Sequence, residues 1–237
     1  MPGGHRPAAA VTVSRVIADP KRLRRLVAFV SPRRSDRVLD AGSGVLALAF
    51  ACRVESVVAL EWDLRPRRPA NVALEPAEAH DVPFPDDAFD IAACGPTFHH
   101  LTSPRIALRE MARVVRPGGR VVIEDIIASE QAVRARYQDR LERLRDRSHP
   151  GYLRLSQLIA YTGEAGLKLR EVRVHDLQRE FNEWLIGGRS SPARIEHIRR
   201  LMSGAAAADL SGLGIRSMDD TIVFTQQLAW LIAEKPE

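Results

Sequence analysis

Val38-Leu39-Asp40-Ala41-Gly42-Ser43-Gly44-Val45 is the stretch that decides the fold. A short apolar run closes on an acid and passes straight into two glycines. Glycine lets a backbone approach a ligand closely, and a helix that follows such a turn presents its N-terminus to anionic groups. Leu46–Cys52 reads as that helix. Asp40, two positions before Gly42, is placed to meet the amino group of an aminoacyl ligand. Seventeen positions after Gly44, at the end of a second apolar strand Val57–Leu60, stands Glu61. A carboxylate there can accept both hydroxyls of a ribose. Gly42 to Ala47 also matches the dinucleotide pattern G-x-G-x-x-G/A with an acid about 20 residues on. Two cofactor classes therefore stand open, beside the plainer reading of a tight turn and a surface acid.

Working outward, further strands are expected at Val72–Leu74, Asp90–Cys94 and Arg120–Ile127. Pro104–Val115 carries apolar residues at Ile106, Leu108, Met111 and Val114, and Arg116-Pro117-Gly118-Gly119 follows as a stop. That is an amphipathic helix with a C-terminal breaker. Strands that are apolar throughout and alternate with helices mean a mostly parallel sheet covered on both faces. The expectation is an α/β, doubly wound, seven-stranded, mostly parallel sheet with a helical lid. Upstream, 1–12 reads as a tail and Val13–Phe29 as a helix ending before Ser31-Pro32; together 1–30 precede the sheet. Downstream, Glu130–Arg147 and Leu155–Ala165 read as helices, Leu167–Val174 as a sixth strand, Phe181–Ala208 as interrupted helix and Ile222–Ala233 as the closing strand. Residues 1–237 are taken as one domain, with 128–165 and 181–220 as helical cover. Between Glu61 and Val72 there are about ten residues including Pro66 and Pro69. A parallel crossover usually needs a dozen or more residues and a helix, so an extended link is expected there.

Three more segments settle which cofactor class applies. They are Pro83-Phe84-Pro85-Asp86-Asp87-Ala88-Phe89-Asp90, then Phe98-His99-His100-Leu101, then Leu108-Arg109-Glu110-Met111-Ala112-Arg113-Val114-Val115-Arg116-Pro117-Gly118-Gly119-Arg120. With the glycine turn they closely resemble, in order and spacing, the class I S-adenosylmethionine-dependent methyltransferases of the ubiquinone/menaquinone-biosynthesis type. The resemblance covers roughly residues 30–127. It implies S-adenosylmethionine bound along the carboxyl ends of strands one to four. Asp40, Ala41, Gly42, Ser43 and Gly44 would hold the methionine part and Glu61 the ribose. Trp62 would lie on the adenine, with Glu78, Ala79 and His80 at its edge. The chain departs from the family's G-x-G-x-G, which ends here at Gly44, so a shorter backbone cradle is expected. A fold of this kind also supports cyclisation, elimination or a non-catalytic role, since fold does not fix function.

Methyl transfer rests mainly on positioning, and a base is needed only where the nucleophile must lose a proton. His99 and His100 follow the fourth strand and face the place where an acceptor would meet the methyl group; His149, at a break between helices, can be brought over the same pocket by the lid. All three are candidate catalytic residues, against the alternative that they cap or pack. A metal site is not expected, because adjacent histidines do not converge on one ion without a third ligand nearby.

Composition excludes several other classes. Hydrophobic residues at 45% and charged residues at 27% suit a globular core of Leu, Val, Ile and Ala. The net charge of +5 comes from arginines interleaved with acids, as in Arg136–Arg147, so no nucleic-acid partner is inferred. Cys52 and Cys94 both lie in apolar stretches and read as buried thiols, with no disulfide framework. No run is long enough for a signal peptide core or a membrane span, and the cytoplasm is the expected compartment. The segment Phe181–Leu213 mixes Trp184, Leu185, Ile186 and Ile195 with Arg189 and Arg194, which suits a small, partly apolar acceptor.

Overall fold

The computed structural model describes residues 16–61, 68–188, 190–218 and 220–237. Their centre is an eight-stranded sheet in the order β3-β2-β1-β4-β5-β8-β6, with β7 paired to β8. The strands are β1 Arg37–Asp40, β2 Ser56–Ala59, β3 Val72–Leu74, β4 Phe89–Cys94, β5 Val115–Ile127, β6 Lys168–Glu180, β7 Arg216–Met218 and β8 Thr221–Glu234. The pairs from β3 to β5 are parallel, whereas β8 runs antiparallel to β5, β6 and β7. Val38, Leu39, Ile91, Ala92, Ala93 and Val121 to Ile123 are sealed from solvent, as expected of parallel strands covered on both faces.

The helices are α1 Pro20–Val30, α2 Val45–Phe50, α3 Pro104–Val114, α4 Ala132–Arg145, α5 Leu155–Glu164, α6 Phe181–Leu185 and α7 Pro192–Ala206. The first helix starts later than its apolar spacing suggests, because Asp19 caps it. The Asp19 carboxylate accepts the N–H groups of Lys21 and Arg22 at 3.1 and 3.3 Å, and Pro20 needs no donor at the first helical position. Val16 to Ala18 form a turn, and the expected tail lies outside the described residues. Leu26, Val27 and Val30 face the sheet, and Arg22 reaches the buried Glu124 of β5, which also accepts the Trp230 indole N–H at 2.7 Å. One face of the sheet thus carries a buried ion pair inside its apolar layer.

Four other expectations need correction. Arg116-Pro117-Gly118-Gly119 does not separate α3 from a strand, for β5 begins at Val115 and runs through it. Gly118 takes φ 70°, and a Cβ on Gly119 would stand 2.8 Å from the Asp90 carbonyl oxygen, so the glycines let an irregular strand start lie close to β4. The sixth strand reaches Glu180, held by pairing with β8 almost to its end, and β7 adds an eighth strand to the expected seven. The helical stretch is interrupted as expected, into α6 and α7 with Gly187 and Gly188 between them. Cys52 is exposed rather than buried, since α2 stops at Phe50 and leaves it in a turn. Of the link after Glu61, residues 62–67 lie outside the described residues, and 68–71 contain no helix.

The helices α4, α6 and α7 have a core of their own. Leu141, Phe181, Trp184, Ile198, Met202 and Phe224 form its centre, with Leu185 and Ile195 packed against it. Ile186 remains 41% exposed, Arg194 reaches the Arg143 carbonyl oxygen at 3.4 Å, and Arg189 lies outside the described residues.

Candidate active site

The carboxyl ends of β1 and β4 meet at the glycine turn. Asp40 ends β1 and is fully buried; its two oxygens accept the N–H groups of Gly42 at 2.9 Å and Ala47 at 2.7 Å. The acid is therefore turned into the loop, tying its two ends together. Burial drives its pKa up to about 6 against those hydrogen bonds, and the nearby Glu61 pushes the same way. Gly44 takes φ 75° to turn the chain into α2. Gly42 sits against the neighbouring loop so closely that a Cβ would stand 3.0 Å from the Gly95 nitrogen and 3.1 Å from Thr97 Oγ1.

Two hydroxyls in this corner, Ser43 Oγ and Thr97 Oγ1, are buried without a hydrogen-bond partner among the described residues. A side-chain-free cradle edged by unsatisfied hydroxyls suits the polar aminoacyl end of S-adenosylmethionine. Ala41 is buried and donates its N–H to the Ala93 carbonyl at 2.8 Å. Half-buried Glu61 stands two residues beyond Ala59, the last of β2. In the loop after β3, Ala79 is buried while Glu78 and His80 are exposed. Trp62 lies outside the described residues.

Beyond Thr97, a 3-10 turn at Phe98–His100 carries the two adjacent imidazoles. His99 is buried, and its Nδ1 lies 2.6 Å from Asp125 Oδ1 on β5. Burial alone would lower the His99 pKa, but the Asp125 charge and hydrogen bond outweigh it and raise the value. His100 is half-buried, and burial together with its neighbour His99 lowers its pKa to about 4.

The loop after α4 lays His149 and Tyr152 on the same two rings. The His99 ring centre lies 4.2 Å from that of His100, 5.6 Å from that of His149 and 4.9 Å from that of Tyr152. His149 Nε2 meets Asp139 Oδ1 at 3.2 Å, while its Nδ1 is buried with no hydrogen-bond partner among the described residues. The third imidazole that spacing alone does not reveal is thus supplied by the cover. One ring nitrogen from each of His99, His100 and His149 lies within 4.8 Å of the other two.

Glu142 of α4 fastens this cover. It is 1% exposed, accepts the Tyr152 hydroxyl at 2.6 Å and the Trp184 indole N–H at 3.3 Å, and pairs with Arg145. Burial works against its charge, but Arg145 and Tyr152 outweigh it and hold the pKa below the ordinary glutamate value. Behind it, a space bordered by Ile126, Leu141, Trp184, Met202 and Phe224 is closed down to 10 Å³. That is about the room one water needs. Asp125, Asp139, Glu142 and Tyr152 are the site residues that sequence reasoning missed. Two acids inside the apolar run Val121 to Ile127 were the available signal for Asp125.

Residues 39–123 match the family described as methyltransferase domain. Over 196 residues the chain is 30% identical to the protein named uncharacterized methyltransferase YcgJ from Bacillus subtilis (strain 168), with 78% of each chain covered. The crystal structure of the B. subtilis YcgJ protein superposes with a TM-score of 0.82 at 28% identity, covering 92% of this chain and 99% of that one. A demethylmenaquinone methyltransferase from Clavibacter sepedonicus is 36% identical over 104 residues, 40% of this chain and 42% of the relative.

Proposed function

Because this chain belongs to the class I S-adenosylmethionine-dependent methyltransferases, of the ubiquinone/menaquinone-biosynthesis type, we propose that its acceptor is a small molecule presented to His99, His100 and His149. The reaction is methyl transfer and the cofactor is S-adenosylmethionine. The observation that carries the acceptor assignment is the buried Asp125–His99 pair beside two further imidazoles at the carboxyl end of β4. A group that already gives up an electron pair readily would need no such cluster. An acceptor with a hydroxyl or an acidic carbon would.

S-adenosylmethionine supplies an electrophilic methyl group on a sulfonium sulfur. The chain's task is then to hold, orient and dry the reacting groups. Asp40 shapes the loop from within, and Ala41, Gly42, Ser43 and Gly44 receive the aminoacyl end. Glu61 takes the ribose hydroxyls, with Trp62, Glu78, Ala79 and His80 around the adenine. His99, whose Nδ1 is engaged by Asp125, receives the acceptor's proton at Nε2; His100 and His149 position the acceptor beside it. Residues 128–165 and 181–220 act as the cover of a single domain and exclude water from the transfer.

The interleaved charges offer no continuous basic track for a polynucleotide, which favours a small-molecule acceptor. Cys52 and Cys94, both free thiols, suit a reducing cytoplasm. No helix among the described residues is long and apolar enough to cross a membrane.

The test combines a mutation with a cofactor exchange. Small phenols, enols and related acidic carbon compounds are screened with the wild-type protein, and the product is followed by mass. His99→Ala is expected to lower turnover by roughly 10²–10⁴ with cofactor affinity nearly unchanged. Product formation that persists with the demethylated cofactor, or with none, overturns the reading.

A further inference from the structure

The three imidazoles carry an arrangement that proton removal by a single base does not require. Each carboxylate-bound imidazole keeps one nitrogen away from its carboxylate. Asp125 takes His99 Nδ1 at 2.6 Å and leaves Nε2; Asp139 takes His149 Nε2 at 3.2 Å and leaves Nδ1. Both acids are themselves fixed. Asp125 Oδ1 also accepts the Ile126 N–H at 2.9 Å, and Asp139 Oδ1 the Tyr152 N–H at 2.9 Å. A carboxylate that fixes the tautomer and orientation of a histidine through its far nitrogen is the usual outer support of a metal-bound imidazole.

The unsatisfied atom points the same way. The His149 side chain is 0% exposed, yet its Nδ1 finds no hydrogen-bond partner among the described residues. A buried ring nitrogen without a partner costs free energy that a ligand would recover. His99 and His149 are both inside, and half-buried His100 closes the group on its open side. We propose that His99, His100 and His149 form a three-histidine site for a divalent zinc-class metal ion, with the fourth position open towards the acceptor.

Three neutral imidazoles and one open position are the donor set of catalytic zinc sites. One ring nitrogen of each histidine lies within 4.8 Å of the other two, and the three rings must draw in to surround an ion at about 2.0–2.1 Å. Side-chain rotation of His100, whose ring makes no hydrogen bond to a carboxylate among the described residues, provides most of that movement. A nitrogen engaged by a metal cannot take a proton. The loaded protein would therefore lower the pKa of an acceptor oxygen by coordination, and only the metal-free protein would use His99 as the base.

The site goes beyond the methyltransferase reading, and its test needs neither cofactor nor acceptor. The full chain is stripped with a chelator and titrated with Zn²⁺ by calorimetry and with Co²⁺ by visible absorption. The expected result is one ion per chain, an intense tetrahedral Co²⁺ spectrum, and a higher melting temperature with Zn²⁺. His149→Ala is expected to lose about 100-fold or more in Zn²⁺ affinity, and Asp125→Asn about 10–100-fold through the outer shell. If His149→Ala fails to fold, His100→Ala, at the partly exposed ring, serves in its place with the same expected loss. Absence of binding at micromolar Zn²⁺ overturns the proposal. So does binding that is unchanged in His100→Ala, which would assign it to surface histidines such as His80. Metal binding without any methyl transfer would leave the site standing and sink the acceptor assignment instead.

Discussion

Replacing Glu142 by Leu removes the anion on which the cover is fastened, and the structure sets the size of the loss. The carboxylate is 1% exposed and serves three donors: the Tyr152 hydroxyl, the Trp184 indole and the Arg145 guanidinium. Leucine fills the space but leaves Arg145, whose side chain is 14% exposed, as a largely buried charge that has lost its direct partner and keeps only the neighbouring charge of Asp146. Breaking a buried pair from one side costs about 3–5 kcal/mol, whereas replacing both members by apolar residues is often close to neutral. Glu142→Leu should therefore lose about 4 kcal/mol, or about 10 °C in melting temperature for a chain of this length. Glu142→Leu with Arg145→Met should recover at least half of it. The assay is urea unfolding followed by circular dichroism on both single variants and the double variant, since Trp184 fluorescence would report the substitution directly. A Glu142→Leu loss under about 1 kcal/mol, or a double variant as unstable as the sum of the singles, would refute the claim that this pair holds the cover.

Three further outcomes follow from the cofactor loop. Gly44→Ala places a Cβ on a residue with φ 75° and should cost about 1–2 kcal/mol, read as a lower urea midpoint; an unchanged midpoint means the loop relaxes freely. Glu61→Ala should weaken S-adenosylmethionine binding by about 1–3 kcal/mol in calorimetry, and unchanged affinity would show that the ribose is held elsewhere. Asp40 has its folded pKa raised from 3.8 to about 6, so between those values the folded protein keeps a proton that the unfolded chain has released. Its contribution is complete below the lower value and lost as pH rises through the upper one, by at most about 3 kcal/mol. Wild-type stability should thus fall relative to Asp40→Asn between about pH 4 and pH 6. A stability difference that does not vary over that range would contradict the buried, strained carboxylate.

The parts of the fold that were legible in the sequence are those whose environment is uniform. Val38-Leu39, Val57-Val58, Ile91 to Cys94 and Val121 to Ile123 are apolar because both faces of the inner sheet are covered, and the runs announce it. The strand β6 gave far less. Its residues are mostly exposed on both sides, so no period survives, and its true length is set by β8 some 50 residues away. The three residues of β7 are all exposed and carry no pattern at all. The start of α1 was legible in principle, because Asp19-Pro20 is a cap followed by a first-turn proline.

The candidate site divides in the same way. The glycine turn, Glu61 and the His99-His100 pair are local in sequence and could be read. The partners Asp125, Asp139, Glu142 and Tyr152 depend on how α4 docks on the sheet, and no spacing rule carries that information. His149 was expected over the same pocket, but how closely it would approach His99 could not be read, because sequence distance says nothing of the loop that returns it to the end of β4.

The exposed outer strand has a consequence for how copies of this protein behave beside one another. Twelve of the thirteen residues of β6 pair with β8, on one side only, leaving an open row of peptide donors and acceptors along the other among the described residues. Such a row is a template on which a foreign strand can grow. Here it bristles with Lys168, Arg170, Glu171, Arg173 and Asp176, and a bulge between Leu169 and Glu171 bends its start. A second copy approaching edge to edge must strip water from these charges and match a bend. The same side chains that hide the strand from a reader of the sequence therefore keep concentrated solutions from zipping into continuous sheet, and neutralising them should turn a dispersed protein into one that gels.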